Sequence, residues 1–194
     1  MKQKIILDLC GGTGSWSKPY KEAGYEVINV TLPIYNVLHY KDIMPKNIYG
    51  ILAAPPCTMF SYTRTRAKTP RNLAEGMKIV EACLDIIWEA RKHNKLAFWA
   101  LENPVGYLQD FLGKPAFIFD PYEFGDPYTK KTALWGKFKE PKKKLIKLNA
   151  DQLYRSKQNS RKLPSISDFT GSKQATRRAV TPPGFAKAFY ESNK

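Results

Sequence analysis

Ile5-Ile6-Leu7-Asp8-Leu9 is an apolar run that breaks directly into Cys10-Gly11-Gly12-Thr13-Gly14-Ser15, and this junction limits what the chain can fold into. A short run with one polar residue suits a strand covered on both faces. The glycines that follow permit a tight turn and let backbone amides approach whatever lies above the strand end. A helix should come next. Ser15 or Ser17 can cap it, Pro19 is tolerated in its first turn, and Gly24 ends it. Taken alone, Gly-Gly-Thr-Gly occurs in several kinds of nucleotide-binding fold and equally in plain structural turns.

Further along, Glu26 to Thr31 reads as a second strand and Gly50 to Ala54 as a third, stopped by Pro55-Pro56. Between Arg71 and His93, residues Leu73, Met77, Val80, Leu84 and Ile87 draw one apolar stripe at helical spacing. Cys83 lies beside that stripe as a small core residue. Leu96 to Leu101 is another buried strand, ending at Glu102-Asn103-Pro104. Strands alternating with helices predict an α/β fold with a mostly parallel sheet and helices on both faces. A chain of 194 residues suits one core. Residues 1–136 are expected to form that folded unit. Residues 137–170, rich in lysine, read as a basic, poorly packed and mobile arm, and 171–194 return to the core with a helix from Thr181 to Tyr190.

In such sheets ligands collect at the carboxyl ends of the strands. Asp8 and the glycines close strand one, Cys57 follows strand three past two prolines, and Glu102 with Asn103 ends the next strand. Prolines fix the backbone and aim the thiol in a defined direction. A thiolate needs positive charge nearby, and Arg64, Arg66 and Lys68 are close in sequence. A buried carboxyl holds its proton more tightly and can donate it to a ring nitrogen while a thiolate attacks the neighbouring carbon. Each residue also has a plainer reading: a core cysteine, or a salt-bridged or capping glutamate.

Lys and Arg number 32 against 17 Asp and Glu, a formal net charge of +15. That balance suits a polyanion such as nucleic acid, although a solubilising surface produces the same count. No apolar run has the length of a membrane span, and the opening MKQKIILDLC is too short for a signal peptide, so a cytoplasmic protein is expected. Cys10, Cys57 and Cys83 fit neither a paired framework nor metal-ligand spacing and read as reduced thiols.

Taken together, these segments resemble the cytosine-5 DNA methyltransferase family, in order along nearly the whole chain. Asp8-Leu9-Cys10-Gly11-Gly12-Thr13-Gly14 is similar to the family's cofactor loop, and Asp42-Ile43 to its adenine-contacting segment. Ala54-Pro55-Pro56-Cys57-Thr58-Met59-Phe60-Ser61 resembles its catalytic loop, and Leu101-Glu102-Asn103-Pro104 its Glu-Asn-Val motif. Phe124-Gly125-Asp126-Pro127-Tyr128-Thr129-Lys130-Lys131-Thr132 resembles the stretch that carries two arginines. Val180 to Ala188 resembles the final cofactor-side helix.

The resemblance implies a class I, Rossmann-like methyltransferase that takes S-adenosylmethionine as cofactor and DNA, duplex or single-stranded, as partner. Cys57 would add to carbon 6 of cytosine while Glu102 donates to nitrogen 3, with Asn103 and Lys130 completing the catalytic set. Carbon 5 would then take the methyl group. The cofactor would lie on Asp8, Cys10, Gly11, Gly12, Thr13, Gly14, Asp42 and Pro55. Arg64, Arg66, Lys142, Lys143 and Lys144 would meet the nucleic acid. A duplex target would have to swing out of the stack.

The chain departs from that pattern at four points. Asn29-Val30-Thr31-Leu32 lacks the acid that grips the cofactor ribose. Thr58 replaces a glutamine and Cys10 an aromatic residue. Lys130 and Thr132 stand at the arginine positions, and lysine cannot reproduce the planar arginine fork. Only Lys137 to about Thr170 stands where the family inserts a target-recognition domain. Low sequence specificity, or a separate partner protein that reads the target, follows from that. The same chemistry on RNA, single-stranded DNA or a free cytosine nucleotide is an alternative. So is a methyltransferase-like nucleic-acid-binding protein without turnover.

Overall fold

A computed structural model describes residues 3–64, 67–144, 163–166 and 178–194. A six-stranded sheet runs in the order β2-β1-β3-β4-β6-β5. Its strands are β1 (Ile5–Leu9), β2 (Glu26–Val30), β3 (Ile48–Ala53), β4 (Phe98–Pro104), β5 (Phe117–Phe119) and β6 (Thr132–Lys137). The first four are mutually parallel; β6 is antiparallel to both β4 and β5, so β5 runs with the majority. The expected α/β, Rossmann-like arrangement with a mostly parallel sheet is present. The antiparallel insertion of β6 was not legible beforehand.

Helices among the described residues include α1 (Lys18–Glu22), α2 (Leu73–His93), α3 (Leu108–Leu112) and α4 (Pro183–Ser192). Alternation along the strands divides the core. Leu7, Leu9, Ile51, Ala53 and Leu101 pack with Val80, Cys83, Ile86, Ile87 and Ala90 of α2. Ile6, Leu52, Phe98, Ala100 and Leu134 pack with Trp16, Tyr20, Phe185 and Phe189 from the α1 and α4 side. Cys83 is fully buried, as a core residue should be. Among the described residues no helix is long and apolar enough to cross a membrane.

Two local expectations are corrected. Ser17 stands at the N-cap of α1, but its hydroxyl makes no capping bond. It donates instead to Asp8 Oδ2 at 2.5 Å, because Asp8 is completely buried and must be satisfied from within. The basic stretch does not begin as a loop, since Lys137 is the last residue of β6. Most of 137–170 lies outside the described residues, as does 171–177. The described piece 163–166 is docked: Leu163 is buried, Thr129 donates to Pro164 O at 2.9 Å and Ile166 to Thr129 O at 2.8 Å.

Candidate active site

The chain runs from β1 to β2 on one side and then crosses back past β1 to β3 on the other, and this reversal opens a crevice at the carboxyl ends of β1 and β3. Asp8 and the glycine turn lie at the end of β1, Pro55 to Cys57 beyond β3, and Glu102 and Asn103 among the last three residues of β4. Alternation sends the side chains of Glu102 and Asn103 to opposite faces of the sheet.

Asn103 is completely buried. Its Nδ2 donates to the carbonyl oxygen of Pro55 at 2.9 Å, which ties the end of β4 to the loop that presents the thiol. Glu102, 9% exposed, pairs through Oε1 with Lys130 Nζ at 3.6 Å, and both side chains are nearly buried. Thr132 spends its hydroxyl on the Lys130 carbonyl at 2.6 Å. The structure thus brings Cys57, Glu102, Asn103 and Lys130 into one group.

Cys57 is partly buried. Burial pushes its thiol above the ordinary value, and the Glu102 charge pushes it further. Lys130 and Arg178 pull the other way. This corrects the expectation for the cations: Lys130 and Arg178 act on the thiol, whereas Arg64 donates to Thr69 O and Thr69 Oγ1, both at 2.8 Å. Arg66 lies outside the described residues. Arg178, whose Nε is buried without a hydrogen-bond partner, escaped sequence reasoning. Its one signal was a basic residue shortly before Pro182-Pro183. Tyr128 was also missed; burial together with Asp126 and Glu102 pushes its phenol up to about 12.

At the glycine turn, the Asp8 carboxyl is pushed up to about 6 by burial, which outweighs its bonds from Ser17. A Cβ on Gly11 would come 2.3 Å from Asp8 Cγ, so only glycine lets the turn fold over this carboxyl. Gly12 and Thr13 are exposed at the tip, and Gly14 follows at φ +70. Cys10 adopts a left-handed φ of +57, and its amide bonds Val30 O at 2.9 Å. Its thiol is hydrogen-bonded with that of Cys83, so the backbone of Cys10 rather than its side chain remains for a ligand. Asn29 stands level with Asp8 in the sheet and donates from Nδ2 to Gly12 O at 3.0 Å. Asp8 Oδ1 and Asn29 Oδ1 are buried acceptors without partners.

Asp42 sits in the 3-10 turn Lys41–Ile43. It lines an open groove with Val37, Leu38 and Lys78 against α2. Lys142, Lys143 and Lys144 are exposed, although Lys143 already pairs with Glu123 at 2.7 Å.

Fold and site together define a Rossmann-like α/β protein with a thiol, a carboxyl and an ammonium group at the carboxyl edge of its sheet. Among solved structures, a mutant of Spodoptera frugiperda DNMT2 is similar at 17% identity and a TM-score of 0.35, over 70% of this chain and 50% of that one. The match therefore spans half the length of that protein, and at this TM-score it carries no functional argument. No protein-family model matches the sequence, and no curated protein matches it.

Proposed function

We propose that this protein transfers a methyl group from S-adenosylmethionine to carbon 5 of cytosine in DNA, through a transient bond between Cys57 and carbon 6. One observation carries the reading: a partly buried thiol shares a strand-end site with a carboxyl group that is itself paired to an ammonium group. S-adenosylmethionine supplies an electrophilic methyl on a positively charged sulfur. The residues of the crevice fit it. Its ammonium and ribose hydroxyls are donors, and the acceptors left over at the glycine turn, Asp8 Oδ1 and Asn29 Oδ1, are buried and unpaired. Asp8, Asn29 and the backbone from Cys10 to Gly14 would hold it, with Asn29 in place of the ribose acid.

Glu102 would face nitrogen 3 of a cytosine and share a proton with it, while Lys130, paired with its Oε1, keeps the carboxyl in place. In the resting site, burial and the Glu102 charge keep the proton on Cys57. The Cys57 proton passes to Glu102 and is shared with nitrogen 3 of the base; the opposing charge on Glu102 then falls, and Lys130 and Arg178 favour the thiolate. The thiolate bonds carbon 6, electron density rises at carbon 5, and that carbon becomes able to take the methyl. Loss of the carbon 5 proton to a base then re-forms the ring double bond and expels Cys57 as a thiolate, which takes back the proton held between Glu102 and nitrogen 3. Asn103 acts through Pro55 by fixing the direction of approach.

A second reading, a nucleic-acid-binding protein of this fold without turnover, draws on the same upward push on Cys57. Mass analysis of cytosines in DNA from cells expressing the chain separates the two. Methylated cytosine present with the native chain and absent with Cys57→Ala is expected; equal levels in both contradict the proposal.

A further inference from the structure

The catalytic loop does not end at the thiol. Phe60 and Ser61 both donate backbone bonds to Cys57 O, at 3.0 and 2.9 Å, forming a single turn that delivers Tyr62 just beyond the site. There Tyr62 meets Tyr107 edge-to-face, ring centroids 4.9 Å apart and planes at 84°. Both rings stay open to solvent, 47% and 38% exposed.

This exposure is held in place. Gln109 donates to the Tyr62 hydroxyl at 3.1 Å. Tyr107 donates its amide to Phe60 O at 2.9 Å, an approach that requires glycine at 106, where a Cβ would come 2.3 Å from the same oxygen. Arg71 lies over the Tyr107 ring at 4.8 Å and donates to Met59 O and Ser61 O of the catalytic loop. Fixed aromatic rings left in water are unusual unless something covers them.

The surroundings favour an anion. Arg71 lies against the Tyr107 ring, Arg64 and Lys68 follow Tyr62 closely in the sequence, and the chain carries a formal net charge of +15. Aromatic rings beside basic side chains form the surface on which unpaired bases stack while their phosphates are held electrostatically. Bases in a duplex are stacked on one another and offer only their edges to a protein.

We infer that the Tyr62–Tyr107 pair is a stacking platform for the bases next to the target cytosine, and that the substrate strand is single-stranded DNA. This rests on the methyltransferase reading for the position of the target, while the platform itself requires only binding. The test measures binding of a fluorescein-labelled single-stranded oligodeoxynucleotide, its duplex and the matching RNA strand at one fixed salt concentration, without cofactor. Native protein, Tyr62→Ala, Tyr62→Phe and Tyr107→Leu are compared, each with a matching thermal melt.

Expected results are tightest binding to the DNA strand, a loss of about fivefold or more with Tyr62→Ala and with Tyr107→Leu, retention with Tyr62→Phe, and little change for the duplex. Equal losses on strand and duplex, no loss with either substitution, or tighter Tyr62-dependent binding to RNA would overturn the inference. The two proposals fail separately, because binding is read here without cofactor or turnover: a protein that binds through Tyr62 and Tyr107 yet methylates no cytosine overturns the methyltransferase reading alone.

Discussion

The side-chain amide of Asn103 donates to the Pro55 carbonyl at 2.9 Å, so the strand that carries Glu102 also holds the loop that carries Cys57. The two reactive groups come from different strands, and this bond is what keeps them in register. Removing it with Asn103→Ala leaves a buried carbonyl unpaired, at a cost of about 1–3 kcal/mol. Chemical denaturation should show that loss. Cys57-dependent reaction with substrate should fall by more than the stability change accounts for, and a variant as reactive as the native protein would contradict the positioning role.

Cys57 should alkylate with a pH profile displaced upward from that of a free cysteine, since burial and Glu102 both favour the thiol. Glu102→Gln removes one of these causes and should move the profile down. Lys130→Met and Arg178→Gln each remove an opposing charge and should move it up. Iodoacetamide labelling followed by mass spectrometry reads all four proteins without substrate or cofactor. Identical profiles would show that the four groups do not share a site.

Asp8 carries the clearest link between pH and stability. Its carboxyl rises from an ordinary 3.8 to about 6 in the folded protein, so the fold favours the protonated form. No penalty applies below about pH 3.8; it grows as pH rises toward 6 and persists above. At about 1.4 kcal/mol per unit, the neutral-pH penalty is about 3 kcal/mol. Asp8→Asn should therefore be more stable than the native protein at pH 8 and flatter between pH 4 and 7. It should also bind S-adenosylmethionine more weakly, because a charged acceptor is lost from the turn. Thermal melts across pH and calorimetric titration check both halves.

Much of this architecture was legible because strand and helix periodicities were strong. Ile5 to Leu9 forms the first strand, and the α2 helix is present with Val80 and Ile87 of its stripe buried, while Leu73, Met77 and Leu84 are only partly covered; the end of β4 bonds the loop after β3. What escaped depended on distant contacts. Ser17 looks like a helix cap and becomes one in position only, since the buried Asp8 claims its hydroxyl. Arg64 is close to Cys57 in sequence yet turns toward Thr69, while Arg178, far along the chain, acts on the thiol. β5 is only three residues long and carries too little periodicity to stand out. No local pattern announces an antiparallel strand inserted beside β4.

Gly11→Ala offers a sharp test of the turn. The added methyl would overlap the Asp8 carboxyl, so the turn must open or Asp8 must leave Ser17. The expected result is loss of S-adenosylmethionine binding by calorimetry, with a smaller loss of thermal stability. Unchanged affinity would mean that the cofactor does not use this turn.

The central claim is that the Cys57 sulfur bonds the cytosine ring during methyl transfer. DNA containing 5-fluorocytosine tests it, because fluorine at carbon 5 cannot leave as a proton does and the enzyme stays attached once the methyl has been added. Incubated with S-adenosylmethionine, the native protein should form a covalent complex with this DNA that survives denaturation and maps to Cys57, and Cys57→Ala should form none. A native protein that methylates ordinary cytosine yet leaves no Cys57-linked complex on the fluorinated DNA would contradict the account.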